Sequence, residues 1–280
     1  MTTATGWVLT ALDGEVPTFG VGNFDSRPLF PSPEWLASAG AQSTWTDIWF
    51  TNHIFEAVLG AVLVIAFWLV VSSRLKMVPG KRQWIGEYVY NIVRNSIGRE
   101  VLGEHYQRFL PYLLALFSFI VLTNFFGLFF VFMFAPFSKV GFAWALALMT
   151  WVLYNAVGIK RWGFFGYLRR ATMPAGVPPL LYILIIPLEF ISNIITRPIT
   201  LALRLFANLF AGHLVVLVFV LGGSWLLLYS HTALYHVAGG VSLLVSFGIF
   251  ALEMIVAFLQ AYIFTVLTAQ YLSSALADEH

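Results

Sequence analysis

The chain has 280 residues, of which 60% are hydrophobic and 10% charged, and its mean hydropathy is +0.84. A soluble domain carries about 25% charged residues, so this composition predicts an integral membrane protein. The formal net charge of +2 gives no basic footprint for a nucleic acid, and the lack of cysteine excludes disulfides, thiolate metal sites and thiol nucleophiles.

The chain starts with a polar segment, residues 1–47, which contains four prolines and predicts loops or short helices. It has no basic start followed by an apolar core, so it is not typical of a signal peptide. We expect this segment to lie outside the cell and residues 48–276 to form one polytopic membrane domain.

Hydrophobic blocks predict an all-α membrane protein with five crossing helices, because about 20 apolar residues span the hydrocarbon. The last two blocks are longer than that, so we expect those helices to be tilted, broken or extended beyond the bilayer. The predicted spans run at about 49–71, 109–134, 142–159, 178–221 and 237–276.

A further segment, residues 83–108, mixes charged residues with apolar residues at helical spacing. This amphipathic pattern predicts a helix on the membrane surface. Basic residues are concentrated in this helix and in the stretches 74–82 and 160–170. By the positive-inside rule these regions and the C-terminus lie in the cytoplasm, and the N-terminus lies outside.

Two arginines, Arg197 and Arg204, lie within an apolar run that extends over residues 180–228. A guanidinium stays charged at any ordinary pH, and at the bilayer centre it costs about 2.5 kcal/mol or more. Such a charge indicates a function. The structural alternatives are an internal salt bridge and an interfacial arginine whose head reaches the headgroups.

Polar residues on the last two helices repeat at helical spacing. Steps of four, four, seven and four residues predict one shared helix face for Glu189, Asn193, Arg197, Arg204 and Asn208. On the last helix, Ser246, Glu253 and Gln260 repeat every seven residues. The register that puts Arg204 level with Gln260 also puts His213 nearly level with Glu253.

This layout places a cation at mid-depth, a titratable His213–Glu253 pair in the outer half and Glu189 in the inner half. Histidine and glutamate can exchange protons, whereas arginine cannot. The pattern suits two half-paths that are separated by Arg204 and bridged by a carboxylate of another chain. A structural hydrogen bond is the alternative for His213 with Glu253 and for Glu189 with Asn193. For His53 and Glu56, near the outer end of the first span, the interface and the opening of the outer path both fit.

Three segments resemble subunit a of the F-type rotary ATP synthase. They are PYLLALFSFIVLTNFFGL (residues 111–128), LALRLFANLFAGH (residues 201–213) and LQAYIFTVLTAQYLS (residues 259–273). The resemblance covers roughly residues 50–275. It implies that Arg204 faces the carboxylate of the rotor ring, that Asn208 and Gln260 are its polar neighbours, and that Arg197 has a supporting role.

The resemblance also aligns His213 and Glu253 with a pair whose identities are exchanged in some family members. Glu189 lies eight residues before Arg197, whereas the family usually has its acid about seven before, and it becomes the candidate acid of the inner half-channel with Asn193 beside it. The implied protein is a proton-channel stator subunit in a bacterial plasma membrane.

The resemblance implies as partners a c-ring of small hairpin subunits, a peripheral-stalk b-type subunit and the rest of the ATP synthase complex. No catalytic site of its own, cofactor or metal is expected, since the sequence lacks a P-loop and an H-E-x-x-H motif. Two alternatives are a self-contained transporter that binds an anion at Arg204 and a purely structural membrane subunit.

Overall fold

The computed structural model describes residues 51–73, 76–78, 80–128, 136–173, 181–229 and 232–277, and the polar segment 1–47 falls outside them. Every element of this described part is helical. The α-helices longer than one turn are α1 (Asn52–Ser72), α2 (Lys81–Asn91), α3 (Tyr106–Leu128), α4 (Val140–Trp162), α5 (Phe164–Thr172), α6 (Tyr182–Phe190), α7 (Arg197–Tyr229) and α8 (Ala233–Leu276).

Within the described residues, five helical stretches are long and apolar enough to cross a membrane. They are His53–Ser72, Lys81–Leu128, Val140–Trp162, Tyr182–Tyr229 and Ala233–Leu276. The prediction of an all-α integral membrane protein with five crossing segments is therefore confirmed. We call the two ends of the bundle the Thr51 end and the Lys81 end, after the residues at which α1 and α2 begin.

The amphipathic segment joins α2 to α3 through a π-helical stretch, Ile92–Arg99, and a 3₁₀ turn, Gly103–His105. Gly103 adopts a φ of 55°, a left-handed conformation that glycine tolerates, so the chain leaves the helical geometry just before α3. Val93 and Ile97 of the segment are fully buried, whereas Trp84 stays 59% exposed. The segment is thus amphipathic, as predicted, and its buried apolar side chains lie in its second half.

The core lies where α3, α4, α7 and α8 meet. Its largest fully buried apolar side chains include Leu113, Phe117, Ile120, Tyr154, Leu201, Leu205, Phe264 and Leu272. Helix α1 packs on the edge of this core against α3 and the 3₁₀ turn Pro136–Ser138. Gly60 permits that approach, because a Cβ there would lie 2.9 Å from the Cγ2 of Thr123.

Contacts between antiparallel neighbours fix the relative depth of the helices. The contacts are Gly60 with Thr123, the Asn124 amide with the Ala257 carbonyl, and Gly212 with Glu253. Counting along the helices from these contacts places Val62, Arg204 and Gln260 at one depth. Because Val62 is the middle residue of α1, Arg204 lies near the mid-plane of the bundle.

The segment between Tyr182 and Tyr229 is one helical stretch of 48 residues, and its helical geometry changes partway along it. Helices α6 and α7 are joined by a π-helical stretch, Ile191–Thr196. Pro198 follows at the start of α7 and has no N–H to donate to the carbonyl of Ile194. The indole nitrogen of Trp151 on α4 donates to that carbonyl instead, at 2.9 Å.

Candidate functional site

Arg204 lies on the outer surface of the described chain, at mid-depth. Its side chain is exposed, and no carboxylate of the described residues forms an ion pair with it. The neighbours on the same face of α7 are Thr200 one turn before, Ala207 one turn after and Ala211 two turns after, and all three are exposed. The small alanines leave the guanidinium open to an approaching group, so the described part does not contain the internal salt bridge considered above.

A second polar group lies on the Thr51 side of Arg204. The imidazole of His213 is buried, with Nδ1 2.8 Å from the carbonyl of Leu209 and Nε2 2.8 Å from the carbonyl of Gly127. Carbonyls only accept hydrogen bonds, so a ring nitrogen of His213 that carries a proton donates to the carbonyl beside it. The carboxyl of Glu253 interacts electrostatically with this ring.

Glycine at position 212 brings α7 and α8 together beside this pair. An added Cβ on Gly212 would collide with the Oε1 atom of Glu253. The same Oε1 atom is buried and accepts no hydrogen bond from the described residues. The predicted register of α7 and α8 is confirmed at this level, since His213 and Glu253 lie at matched depth.

The polar neighbours expected beside Arg204 lie at the α7–α8 contact. Gln260 is 5% exposed, and its Nε2 atom is buried without a hydrogen-bond acceptor among the described residues. Asn208 is half-buried, one turn from Arg204 on α7. Asn124 of α3 donates to the carbonyl of Ala257 at 3.1 Å and anchors α3 to α8 close to this level.

The remaining predicted residues lie toward the Lys81 end. The amide of Asn193 donates to Oε2 of Glu189 at 3.0 Å and to the carbonyl of Ala171 at 2.6 Å. Arg197 instead turns toward α8, where it donates to the Ser274 hydroxyl at 3.2 Å and its guanidinium lies 4.9 Å from the Tyr271 ring centroid.

The structure therefore divides the stripe that the spacing predicted into separate contacts. Asn193 contacts α5 and binds Glu189, Arg197 contacts α8, and Arg204 is exposed. The reason is the π-helical stretch Ile191–Thr196, whose wider turn rotates the residues before it relative to those after it. A constant 3.6-residue period does not include that rotation.

Two polar residues that the sequence left undecided are buried. His53 is 1% exposed and Glu56 is 3% exposed, one turn apart on α1. Both therefore face the protein interior rather than the lipid interface. The described residues contain no group of three potential metal-binding side chains.

These features define a class of protein before any comparison is made. It is a multi-pass membrane protein with a permanent cation exposed at mid-depth and, about 10 Å away toward the Thr51 end, a buried histidine beside a half-buried glutamate. Ionisable groups at such depths mark ion pathways in membrane proteins.

Comparison with known proteins identifies the family. The family model described as "ATP synthase A chain" matches residues 54–273. "ATP synthase subunit a" of Nocardioides sp. is 45% identical over 230 residues, which are 82% of this chain and 83% of that protein. "ATP synthase subunit a" of Pseudarthrobacter chlorophenolicus is 38% identical over 272 residues (95% and 96%), and that of Frankia alni is 37% identical over 270 residues (95% and 91%). The chain belongs to the ATP synthase A chain family.

Proposed function

We propose that the chain is the stationary, proton-channel subunit of an F-type ATP synthase, with two offset half-channels that serve a rotor carboxylate. Membership of the family supports the coarser statement that it is a proton-translocating, multi-pass subunit of the ATP synthase membrane sector in a bacterial plasma membrane. The observation that carries the finer proposal is Arg204, a permanent cation at mid-depth that is exposed and lacks a carboxylate partner within the described chain.

A guanidinium that is exposed inside a bilayer requires a partner that compensates its charge. Lipid tails cannot accept its hydrogen bonds, and an uncompensated charge there is costly. A ring of small hairpin subunits, each with a membrane-embedded carboxyl, supplies the matching charge and passes close to the small residues Ala207 and Ala211. We therefore propose the c-ring as the occupant of this face and a b-type peripheral-stalk subunit as a further partner that holds the chain stationary.

The proton route follows from the depth of each group. Protons enter from the Thr51 end, which the positive-inside rule puts outside, and reach the rotor carboxylate by way of His213 and Glu253. Gln260 and Asn208 line the passage beside Arg204. The neutral carboxyl then turns through lipid and releases its proton near Glu189 and Asn193, with Arg197 positioned between that site and α8.

Arg204 separates the two half-channels. It favours the ionised form of the rotor carboxylate and, because it does not give up its own proton, it blocks direct passage. The membrane potential supplies about 2.3 kcal/mol per charge per 100 mV for this transfer. Transfer is thereby coupled to rotation instead of leaking through the chain.

The test is ATP-driven acidification of inverted membrane vesicles that contain the whole complex with Arg204→Ala. We expect driven acidification to be lost and passive proton permeability to persist or rise after the peripheral ATPase is stripped. Arg82→Ala, at an exposed arginine near the start of α2, is the matched control and should pump normally. Normal pumping by Arg204→Ala would overturn the proposal, and solute-driven flux without ATP-driven pumping would support a self-contained transporter.

A further inference from the structure

Glu56 is a buried carboxyl that the proposed route leaves unused. Its side chain is 3% exposed, and its Oε2 atom is buried without a hydrogen-bond donor among the described residues. A buried carboxyl oxygen without a hydrogen-bond donor is costly in a membrane interior, and ionisable groups there usually serve ion transfer. A purely structural role would require a donor for Oε2, and none of the described residues supplies one.

Glu56 lies at the depth of the His213 site. Gly60 contacts Thr123 between the antiparallel helices α1 and α3, so one turn further toward the Thr51 end Glu56 lies level with Gly127. The carbonyl of Gly127 is the group that lies 2.8 Å from Nε2 of His213. Glu56 and His213 thus lie at one level of the bundle.

The 3₁₀ turn Pro136–Ser138 connects the two sides. It packs against α1, α3 and α7 at once. The hydroxyl of Ser138 is buried without a hydrogen-bond partner among the described residues. A hydroxyl donates and accepts at the same time, so it can pass a proton between neighbours. The charged or titratable groups of the described residues around this level include His53 on the same helix, Lys139 directly after Ser138, His213 on α7 and Glu253 on α8.

We propose that Glu56 is a proton-exchanging carboxyl of the outer half-channel, which rests on the proposed function above. The neutral carboxyl of Glu56 gives its proton, by way of the Ser138 hydroxyl or a bridging water, to the carboxylate of Glu253 beside His213. The Glu56 carboxylate then takes a proton from water at the Thr51 end. Only O–H bonds form and break, and one proton moves inward in each cycle.

Two substitutions of Glu56 separate this role from simple packing. Glu56→Gln keeps the size of the side chain and cannot exchange a proton, whereas Glu56→Asp keeps the carboxyl and shortens the side chain. A relay requires Asp to pump better than Gln, and a packing role requires the reverse order. We expect Glu56→Gln to lower ATP-driven acidification by about 100-fold, which is the lower end of the range for loss of a proton-transfer group.

The assay uses inverted vesicles with the whole complex for pumping, and ATP synthesis at varied outer pH for the profile. We expect Glu56→Asp to retain transport with a shifted dependence on outer pH. Glu87→Gln, at an exposed glutamate of α2, is the control and should match the unsubstituted protein. Unchanged pumping by Glu56→Gln, or better pumping by Gln than by Asp, overturns the relay. If Arg204→Ala pumps normally in the same membranes, the proposed function fails instead.

Discussion

Gly212 shows at the residue scale how a missing side chain positions a functional one. The carboxyl of Glu253 occupies the space that a Cβ on Gly212 would take. The substitution Gly212→Ala therefore requires the carboxyl to move, and a displaced transfer group can slow its reaction by up to roughly 100-fold. We expect ATP-driven acidification to fall strongly while the complex still assembles, because alanine favours a helix by about 1 kcal/mol over glycine.

The control for this prediction lies on the same helix. Nothing lies within 4 Å of a Cβ added to Gly222, so Gly222→Ala should pump normally. Glu253→Asp, one methylene shorter, should restore part of the transport when combined with Gly212→Ala. Equal pumping by the two alanine variants would show that the Gly212–Glu253 contact does not matter for transport.

Residue spacing predicted the pairing of His213 with Glu253 because both lie on regular helices, where index and depth are proportional. It left Glu56 undecided for a physical reason. A single polar pair near the end of an apolar helix does not show which side of that helix faces the protein. Glu56 could therefore face either the lipid or the protein interior on sequence grounds. The burial of Glu56 depends on Gly60, which lets α1 approach Thr123, and on a turn 80 residues away in the sequence.

At the scale of elements, the π-helical stretch Ile191–Thr196 positions the residues around it. It exposes backbone carbonyls that α4 side chains use, since Tyr154 donates to Asn193 at 3.1 Å and Trp151 donates to Ile194 at 2.9 Å. These bonds hold the Asn193 backbone while its side chain binds Glu189. From its length, the sequence predicted a tilted, broken or extended helix here, but the rotation within it depends on tertiary hydrogen bonds.

Trp151→Phe tests this anchoring. It keeps most of the ring volume and removes the donor to the Ile194 carbonyl, for which Pro198 offers no replacement. We expect a loss of about 1 kcal/mol in the free energy of unfolding, the scale of interhelical hydrogen bonds in membranes. SDS-induced unfolding of the purified chain in detergent measures this loss of unfolding free energy.

Trp144→Phe on the same helix is the comparison for Trp151→Phe, because the indole of Trp144 makes no hydrogen bond within the described residues. It should cost less than Trp151→Phe. Equal losses for the two variants would mean that ring packing, and not the hydrogen bond, holds the π-helical stretch.

The direction of proton flow is a property of the whole molecule, because it depends on which end of the bundle faces the cytoplasm. Basic residues at the Lys81 end predict that this end lies inside. The candidate proton-transfer acids are also divided between the two ends. Glu253 and Glu56 lie toward the Thr51 end, and Glu189 lies toward the Lys81 end. Reversing the orientation would exchange the inlet and the outlet without changing any contact within the chain.

The sequence contains no cysteine, so the orientation can be tested with single introduced thiols and no background. Gly80 has φ −77° and no atom within 4 Å of an added Cβ, and Thr232 makes no side-chain capping bond, so cysteine fits at both positions. With a membrane-impermeant maleimide, Gly80→Cys should react in inverted vesicles and Thr232→Cys in intact spheroplasts. The opposite labelling pattern would reverse the orientation, and His213, Glu253 and Glu56 would then line the outlet, since depth within the bundle and orientation in the membrane are independent.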